Sequence, residues 1–268
     1  MIKESITELH LPYHGKRSKT VRVYIPEHEQ GELLPVIYMT DGQNLFEDDN
    51  VAFGCWYTPK TIKAERELSG KAAVIVGIHN DGNPMERTNE LTPKSIGKTD
   101  ARKALPPFLR MLLKPQGELF DEFVVSTVMP AVEKQFPVLK GRNNTAFCGS
   151  SSGGLQSFFT ALSHPDKFCA AGVFSPAFLL YSEDDMRRWV QSVMRDKMPY
   201  LYIYTGAGDE LEHDIFESVE TTYDILTECY PLELINEVVL LDNKHHESAW
   251  EPIFGDFLHT FLERREEF

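Results

Sequence analysis

Thr145-Ala146-Phe147-Cys148-Gly149-Ser150-Ser151-Ser152-Gly153-Gly154-Leu155 is the stretch from which the rest of this chain can be read. Thr145 to Cys148 is a short run of apolar and β-branched residues, the pattern of a strand buried on both faces. Gly154 opens a segment reaching Ser163 with helical spacing. Between them Gly149-Ser150-Ser151-Ser152-Gly153 spells G-x-S-x-G, in the strand-turn-helix context that gives this motif chemical meaning. So tight a turn needs small residues at Gly149 and Gly153, and it pushes Ser151 out above the sheet. The hydroxyl then faces substrate, and the N–H of Ser152, at the start of the helix, points toward a developing oxyanion.

A serine hydroxyl is a weak nucleophile at neutral pH and needs a base, which needs an orienting carboxylate. Both are expected later in the chain, acid before histidine, at the carboxyl ends of later strands. The apolar run Tyr200 to Tyr204 ends in Thr205-Gly206-Ala207-Gly208-Asp209-Glu210, where the glycines can turn a carboxylate sideways. Asp209 is the expected acid, with Glu210 in reserve; the competing possibility is that the pair only caps the next helix. Glu237 to Leu241 is followed by Asp242-Asn243-Lys244-His245-His246-Glu247, and spacing alone leaves His245 and His246 as equal candidates for the base. No H-E-x-x-H pattern accompanies these histidines, so no metal is expected. A further oxyanion donor is expected after the run Val36 to Met39, where Asp41-Gly42-Gln43 turns the backbone and offers the N–H of Gln43.

Working outward, Ile6 to Pro12 and Thr20 to Ile25 alternate and predict an antiparallel opening. Val36–Met39, Ala73–Ile78, Thr145–Cys148, Gly172–Phe174, Tyr200–Tyr204 and Glu237–Leu241 predict buried strands. Helical patterns fall at Glu118–Phe136, Gly154–Ser163, Asp185–Asp196, Ile215–Cys229 and Ser248–Glu263, with Pro130 expected to kink or break the first. Such alternation predicts an α/β fold: a mostly parallel sheet with helices on both faces. Residues 81–118 interrupt it with five prolines, a basic set (Arg87, Lys94, Lys98, Arg102, Lys103, Arg110, Lys114) and an apolar cluster at 105–113. That segment reads as a cover over the site, a surface excursion or a contact between copies in a homo-oligomer.

The 268 residues contain no repeat or low-complexity linker, so one domain over 1–268 is expected. A formal net charge of -14 repels phosphate backbones and anionic membrane surfaces, which sets nucleic acid and membrane aside as partners. No run is long enough to cross a bilayer, and Met1 to Ser5 lead into alternating sequence without the apolar stretch of a signal peptide. With four cysteines lacking a CxxC pair, this predicts free thiols in a cytoplasmic protein.

Several strings together resemble the putative esterase family of the α/β-hydrolase superfamily, which includes enterochelin (siderophore) esterases, S-formylglutathione hydrolase and feruloyl or acetylxylan esterases. They are Asp41-Gly42-Gln43-Asn44-Leu45-Phe46, Val76-Gly77-Ile78, Glu86-Arg87-Thr88-Asn89-Glu90-Leu91-Thr92-Pro93, the elbow at Gly149–Leu155, Phe174-Ser175-Pro176-Ala177-Phe178 and His245-His246-Glu247-Ser248-Ala249-Trp250. The resemblance implies an α/β-hydrolase fold and a cofactor-free serine carboxylesterase acting on a small-molecule ester. Its terminal motif, His-Asn-Glu followed by small residues and Trp, implies that His245 is the base and that His246 occupies the usual Asn position. It also implies Asp209 as the acid, and Asp41, Gly42, Arg87, Glu90 and Trp250 as candidates for binding substrate. For Arg87 and Glu90 a structural salt bridge is the alternative.

The expected activity is ester hydrolysis through an acyl-enzyme, with Ser151, His245 and Asp209 as triad and the N–H groups of Gln43 and Ser152 as oxyanion donors. The basic island predicts tolerance of acidic or metal-chelating acyl groups. The alternatives are acyl transfer by the same triad, and a non-catalytic binding module on a hydrolase fold.

Overall fold

The computed structural model describes residues 1–15, 17–47, 54–80, 82–98 and 113–268. Its strands are β1 (Ser5–Tyr13), β2 (Arg17–Ile25), β3 (Val36–Met39), β4 (Val74–Ile78), β5 (Thr145–Ser150), β6 (Ala170–Phe174), β7 (Tyr200–Thr205) and β8 (Ile235–Val239). They form one sheet in the order β1-β2-β4-β3-β5-β6-β7-β8. β1 and β2 pair antiparallel, as do β2 and β4, and every later pairing is parallel. This is the mostly parallel sheet with an antiparallel opening that the sequence predicts, and it is an α/β-hydrolase fold.

Side-chain alternation divides the core between two faces. Val36, Tyr38, Val74, Val76, Phe147, Leu201 and Ile203 join one apolar cluster; Ile37, Met39, Ile75, Ala146, Cys148, Tyr202 and Tyr204 join the other. The second face is closed by α1 (Thr58–Ser69), through Ile62, and by the final helix α8 (Glu247–Arg264), through Trp250, Phe254, Phe257 and Phe261. The first is closed by α3 (Gly117–Phe123) and α4 (Met129–Gln135), by α5 (Ser152–Ser163), α6 (Glu183–Val193) and α7 (Glu210–Cys229), whose Phe120, Val132, Phe158, Trp189 and Ile215 are buried there. Burial on both faces explains why β3 to β7 read as apolar runs, whereas β1, largely exposed, alternates; β8 runs Ile235–Val239 and is only half-buried, at the sheet edge, not the buried strand expected at Glu237–Leu241.

Two features sharpen the expectation. The helix containing Pro130 runs on without a gap but is irregular just before the proline, where a π turn at Val124–Val128 joins α3 to α4. The segment 81–118 is not irregular throughout, since Pro84–Glu90 forms helix α2, capped by Asn83, which accepts from the N–H of Met85 at 2.9 Å. Its apolar residues Leu105 to Leu112, with Arg102, Lys103 and Arg110, lie outside the described residues. All four cysteines are free thiols. No described helix is long and apolar enough to cross a membrane.

Candidate active site

The carboxyl ends of β5, β6, β7 and β8 lie side by side, and each delivers one polar side chain to the same edge. After β5 comes Ser151, with φ 59° and ψ −124°, a backbone that L-residues rarely adopt and that costs on the order of 1–3 kcal/mol. Neighbouring backbone holds it there. Ser151 N–H donates to Phe174 O at 2.9 Å, and its carbonyl accepts from Leu155 N at 3.0 Å and Ala177 N at 3.1 Å. A Cβ at Gly149 or Gly153 would collide with the Thr40 hydroxyl, so only glycine lets the elbow sit against the end of β3. Ser152 begins α5, and its N–H has no intrahelical acceptor.

After β8 the two histidines part ways. His246 is exposed and caps α8, its Nδ1 accepting from Ser248 N–H at 3.1 Å. His245 turns inward, only 13% exposed, with Nδ1 2.6 Å from Glu212 Oε2. Its ring meets Trp250 edge-on, with centroids 5.1 Å apart. Donation of Nδ1–H to the carboxylate leaves Nε2 as the lone-pair nitrogen.

The carboxylate facing the imidazole is therefore Glu212, and this corrects the assignment to Asp209. Asp209 is the N-cap of α7: Oδ1 accepts from Glu212 N–H at 2.9 Å and Oδ2 from His245 N–H at 2.9 Å. Burial pushes the Asp209 carboxyl up, but those two N–H donors and the nearby His245 bring it below its ordinary value. Its aspartate thus fixes the backbone of the histidine instead of the ring. Glu210, the reserve, is exposed. Glu212 is fully buried, and its other oxygen, Oε1, accepts from Ser175 Oγ at 2.5 Å and from Gly206 N–H at 2.8 Å. A signal for it exists in the sequence, because Asp209-x-x-Glu212 has the spacing of a capping box, which sets a glutamate one turn into the helix. Here the glutamate turns to the histidine.

Ser175 was missed as well. It follows β6 with φ 39°, donates its backbone N–H to Tyr204 O at 2.6 Å, and receives Trp250 Nε1–H on its hydroxyl at 2.9 Å. Trp250, expected near substrate, is 3% exposed and instead orders Ser175, which orders Glu212.

The loop after β3 completes the edge. Gly42 and Gly77 touch backbone to backbone, so closely that a Cβ on Gly42 would overlap Gly77. Asp41, with φ 54°, starts the 3-10 turn Gly42–Asn44, whose first N–H groups, Gln43 included, lack intrahelical acceptors. Arg87 grips Asp41 with Nε and Nη2, each at 2.7 Å, Asn80 Nδ2 donates at 2.6 Å, and Arg87 Nη2 reaches Ser150 O at 3.4 Å. Burial opposes ionisation of Asp41, but the Arg87 guanidinium prevails and holds the carboxyl below its ordinary value. Glu90 pairs separately with Lys19 at 2.6 Å, both side chains buried. Arg87 and Glu90 thus serve ion pairs with Asp41 and Lys19, and Asp41, Gly42, Glu90 and Trp250 are all buried.

Among the described residues, one group could hold a metal ion: Glu65, His259 and Glu263, with ligand atoms within 4.8 Å of one another on α1 and α8. Each is already engaged, Glu65 by Ser69 Oγ at 2.6 Å and His259 at 3.0 Å, Glu263 by Lys71 at 2.7 Å.

Residues 14–221 match the family described as "Putative esterase". Among solved structures, an IroE-like serine hydrolase from Shewanella oneidensis is similar at TM-score 0.71 and 16% identity, covering 97% of this chain and 80% of that one. The enterobactin esterase of Shigella flexneri is similar at TM-score 0.69 and 16% identity over 100% of this chain and 60% of that one. A ferulic acid esterase from the fungus Anaeromyces mucronatus is similar at TM-score 0.63 and 17% identity, over 97% and 91% respectively. At such identities these likenesses bear on the fold.

Proposed function

This chain belongs to the putative esterase family of carboxylic ester hydrolases, and from that premise we propose that it hydrolyses a small-molecule ester through an acyl-enzyme on Ser151, with His245 as base and Glu212 as the orienting acid. The observation that carries this is the 2.6 Å contact between His245 Nδ1 and a buried Glu212, at the same sheet edge as a strained serine elbow.

In this mechanism His245 Nε2 takes the proton of Ser151 as Oγ attacks the ester carbonyl carbon. The carbonyl oxygen becomes an oxyanion, which the N–H groups of Ser152 and Gln43 stabilise. The C–O bond to the alcohol then breaks, and the departing oxygen collects the proton from His245. Water, deprotonated by the same nitrogen, attacks the acyl-enzyme and frees Ser151. Glu212 does not accept a proton; it holds the tautomer and stabilises the imidazolium as it forms. No cofactor enters any step.

The test is pre-steady-state hydrolysis of p-nitrophenyl acetate and butyrate, repeated with added alcohol. An acyl-enzyme predicts a burst of p-nitrophenol when deacylation is slow, and water as the main acceptor. Preferential transfer to alcohol would make the protein an acyltransferase. Absence of turnover on every ester tried would favour a binding module.

A further inference from the structure

Separate pieces of sequence meet around the oxyanion loop: Asp41 to Asn44 after β3, Asn80 after β4, Arg87 on α2, and Glu247 at the first turn of α8. Glu247 has no part in the proton relay, yet it is 7% exposed and stands two residues beyond His245. Its Oε1 accepts from Asn44 Nδ2 at 3.3 Å. Asn44 is the last residue of the turn that carries Gln43, and its carbonyl is fixed by Trp56 N–H at 2.8 Å. Trp56 in turn stacks on Trp250, centroids 6.0 Å apart, and Trp250 abuts His245. One buried carboxyl therefore spans the loop offering oxyanion donors and the loop offering the base.

We propose that Glu247 is a positioning residue of the esterase site, which through Asn44 holds the Gln43 oxyanion loop in register with the loop of His245; this rests on the esterase function proposed above. The linkage is sensitive to charge. Burial pushes the Glu247 carboxyl up to about 7, and the Asp41 carboxylate adds to the rise, with its own N–H, Asn44 and Arg87 opposing. The charged groups facing it are Asp41 on the oxyanion loop and Arg87 on α2; His245 and His246 precede it on its own stretch. While Glu247 is neutral, the Arg87 guanidinium is held chiefly by Asp41. Once ionised, it sets a second carboxylate beside Asp41 to compete for Arg87, straining the turn that aims Gln43.

Activity should then fall on the alkaline side as Glu247 ionises. Stability carries the same sign. A folded value of about 7 against an ordinary 4.5 means the native state keeps the proton, so stability from this group is full below about 4.5 and is lost as pH rises through about 7.

The experiment measures kcat and KM on a neutral p-nitrophenyl ester from pH 5 to 9 for wild type, Glu247→Gln and Glu247→Ala, with Tm at each pH. Glu247→Gln keeps the Asn44 bond, and is expected within about threefold of wild type at pH 6, without the alkaline fall, and with a Tm advantage that grows from pH 5 to 8. Glu247→Ala is expected to lose about 10- to 100-fold in kcat with KM little changed. A Gln variant that keeps the wild-type alkaline limb, or a folded Ala variant with wild-type kcat, would overturn the proposal. A wild type that hydrolyses nothing would instead overturn the esterase function, and this role with it.

Discussion

Glutamine at position 212 would keep the shape of the side chain and change what His245 can do. Oε1 is pinned by two donors, Ser175 Oγ at 2.5 Å and Gly206 N–H at 2.8 Å, so the oxygen of the amide must stay there. The amide nitrogen then occupies the place of Oε2, 2.6 Å from Nδ1, and points a donor at it. Nδ1 must accept, the ring proton moves to Nε2, and the nitrogen proposed to deprotonate Ser151 can no longer take a proton. Loss of the correct tautomer in a triad costs about 10³ to 10⁴ in kcat, which is roughly 4 to 5.5 kcal/mol of barrier. KM should change little, because Glu212 touches no substrate. The assay is steady-state p-nitrophenyl butyrate hydrolysis by Glu212→Gln beside Asp209→Asn, with circular dichroism to check folding. Asp209→Asn replaces the charged acceptor of His245 N–H and should cost only about 3- to 30-fold, near the low end for one hydrogen bond to a charged group. An Asp209 variant hit as hard as the Glu212 variant, or a Glu212→Gln protein with more than a tenth of wild-type kcat, would refute this division of roles.

Ser175→Ala removes one donor from Glu212 and strands Trp250 Nε1, and should lower kcat by about 10- to 100-fold, more than Trp250→Phe, which removes only the outer link. Asp41→Asn should lower urea stability at pH 7; since the Asp41 carboxyl is held below its ordinary 3.8, the wild-type advantage is full above that value and disappears as pH falls through the lower folded one. Lys19→Met removes the Lys19 end of its buried ion pair with Glu90 and should lower stability in urea unfolding, much of the loss recovered in the double variant with Glu90→Leu.

What could be read from the sequence depended on how local the physics was. Strands buried on both faces, such as Val36–Met39 and Tyr200–Thr205, announce themselves as apolar runs, and the elbow announces itself because its glycines sit where side chains cannot. Helix α1 did not, since Thr58–Ser69 buries little more than Ile62 between charged residues. Glu212 was hidden for a different reason: α7 begins at Glu210, five residues before its apolar stripe starts at Ile215, so the turn that carries the acid lies inside a helix whose start was read too late. Asp209, nearer the turn, was the natural choice, but capping two backbone N–H groups occupies both its oxygens. Arg87 and Trp250 showed as motif residues without their partners, because Asp41 and Ser175 are brought to them only by folding.

The most direct test of the central claim is fluorophosphonate labelling of wild type and Ser151→Ala, read by intact mass and peptide mapping alongside ester turnover. A nucleophilic Ser151 predicts a single adduct on that residue in wild type, and neither adduct nor turnover in the variant. An adduct on another residue, or turnover that survives the substitution, would contradict it.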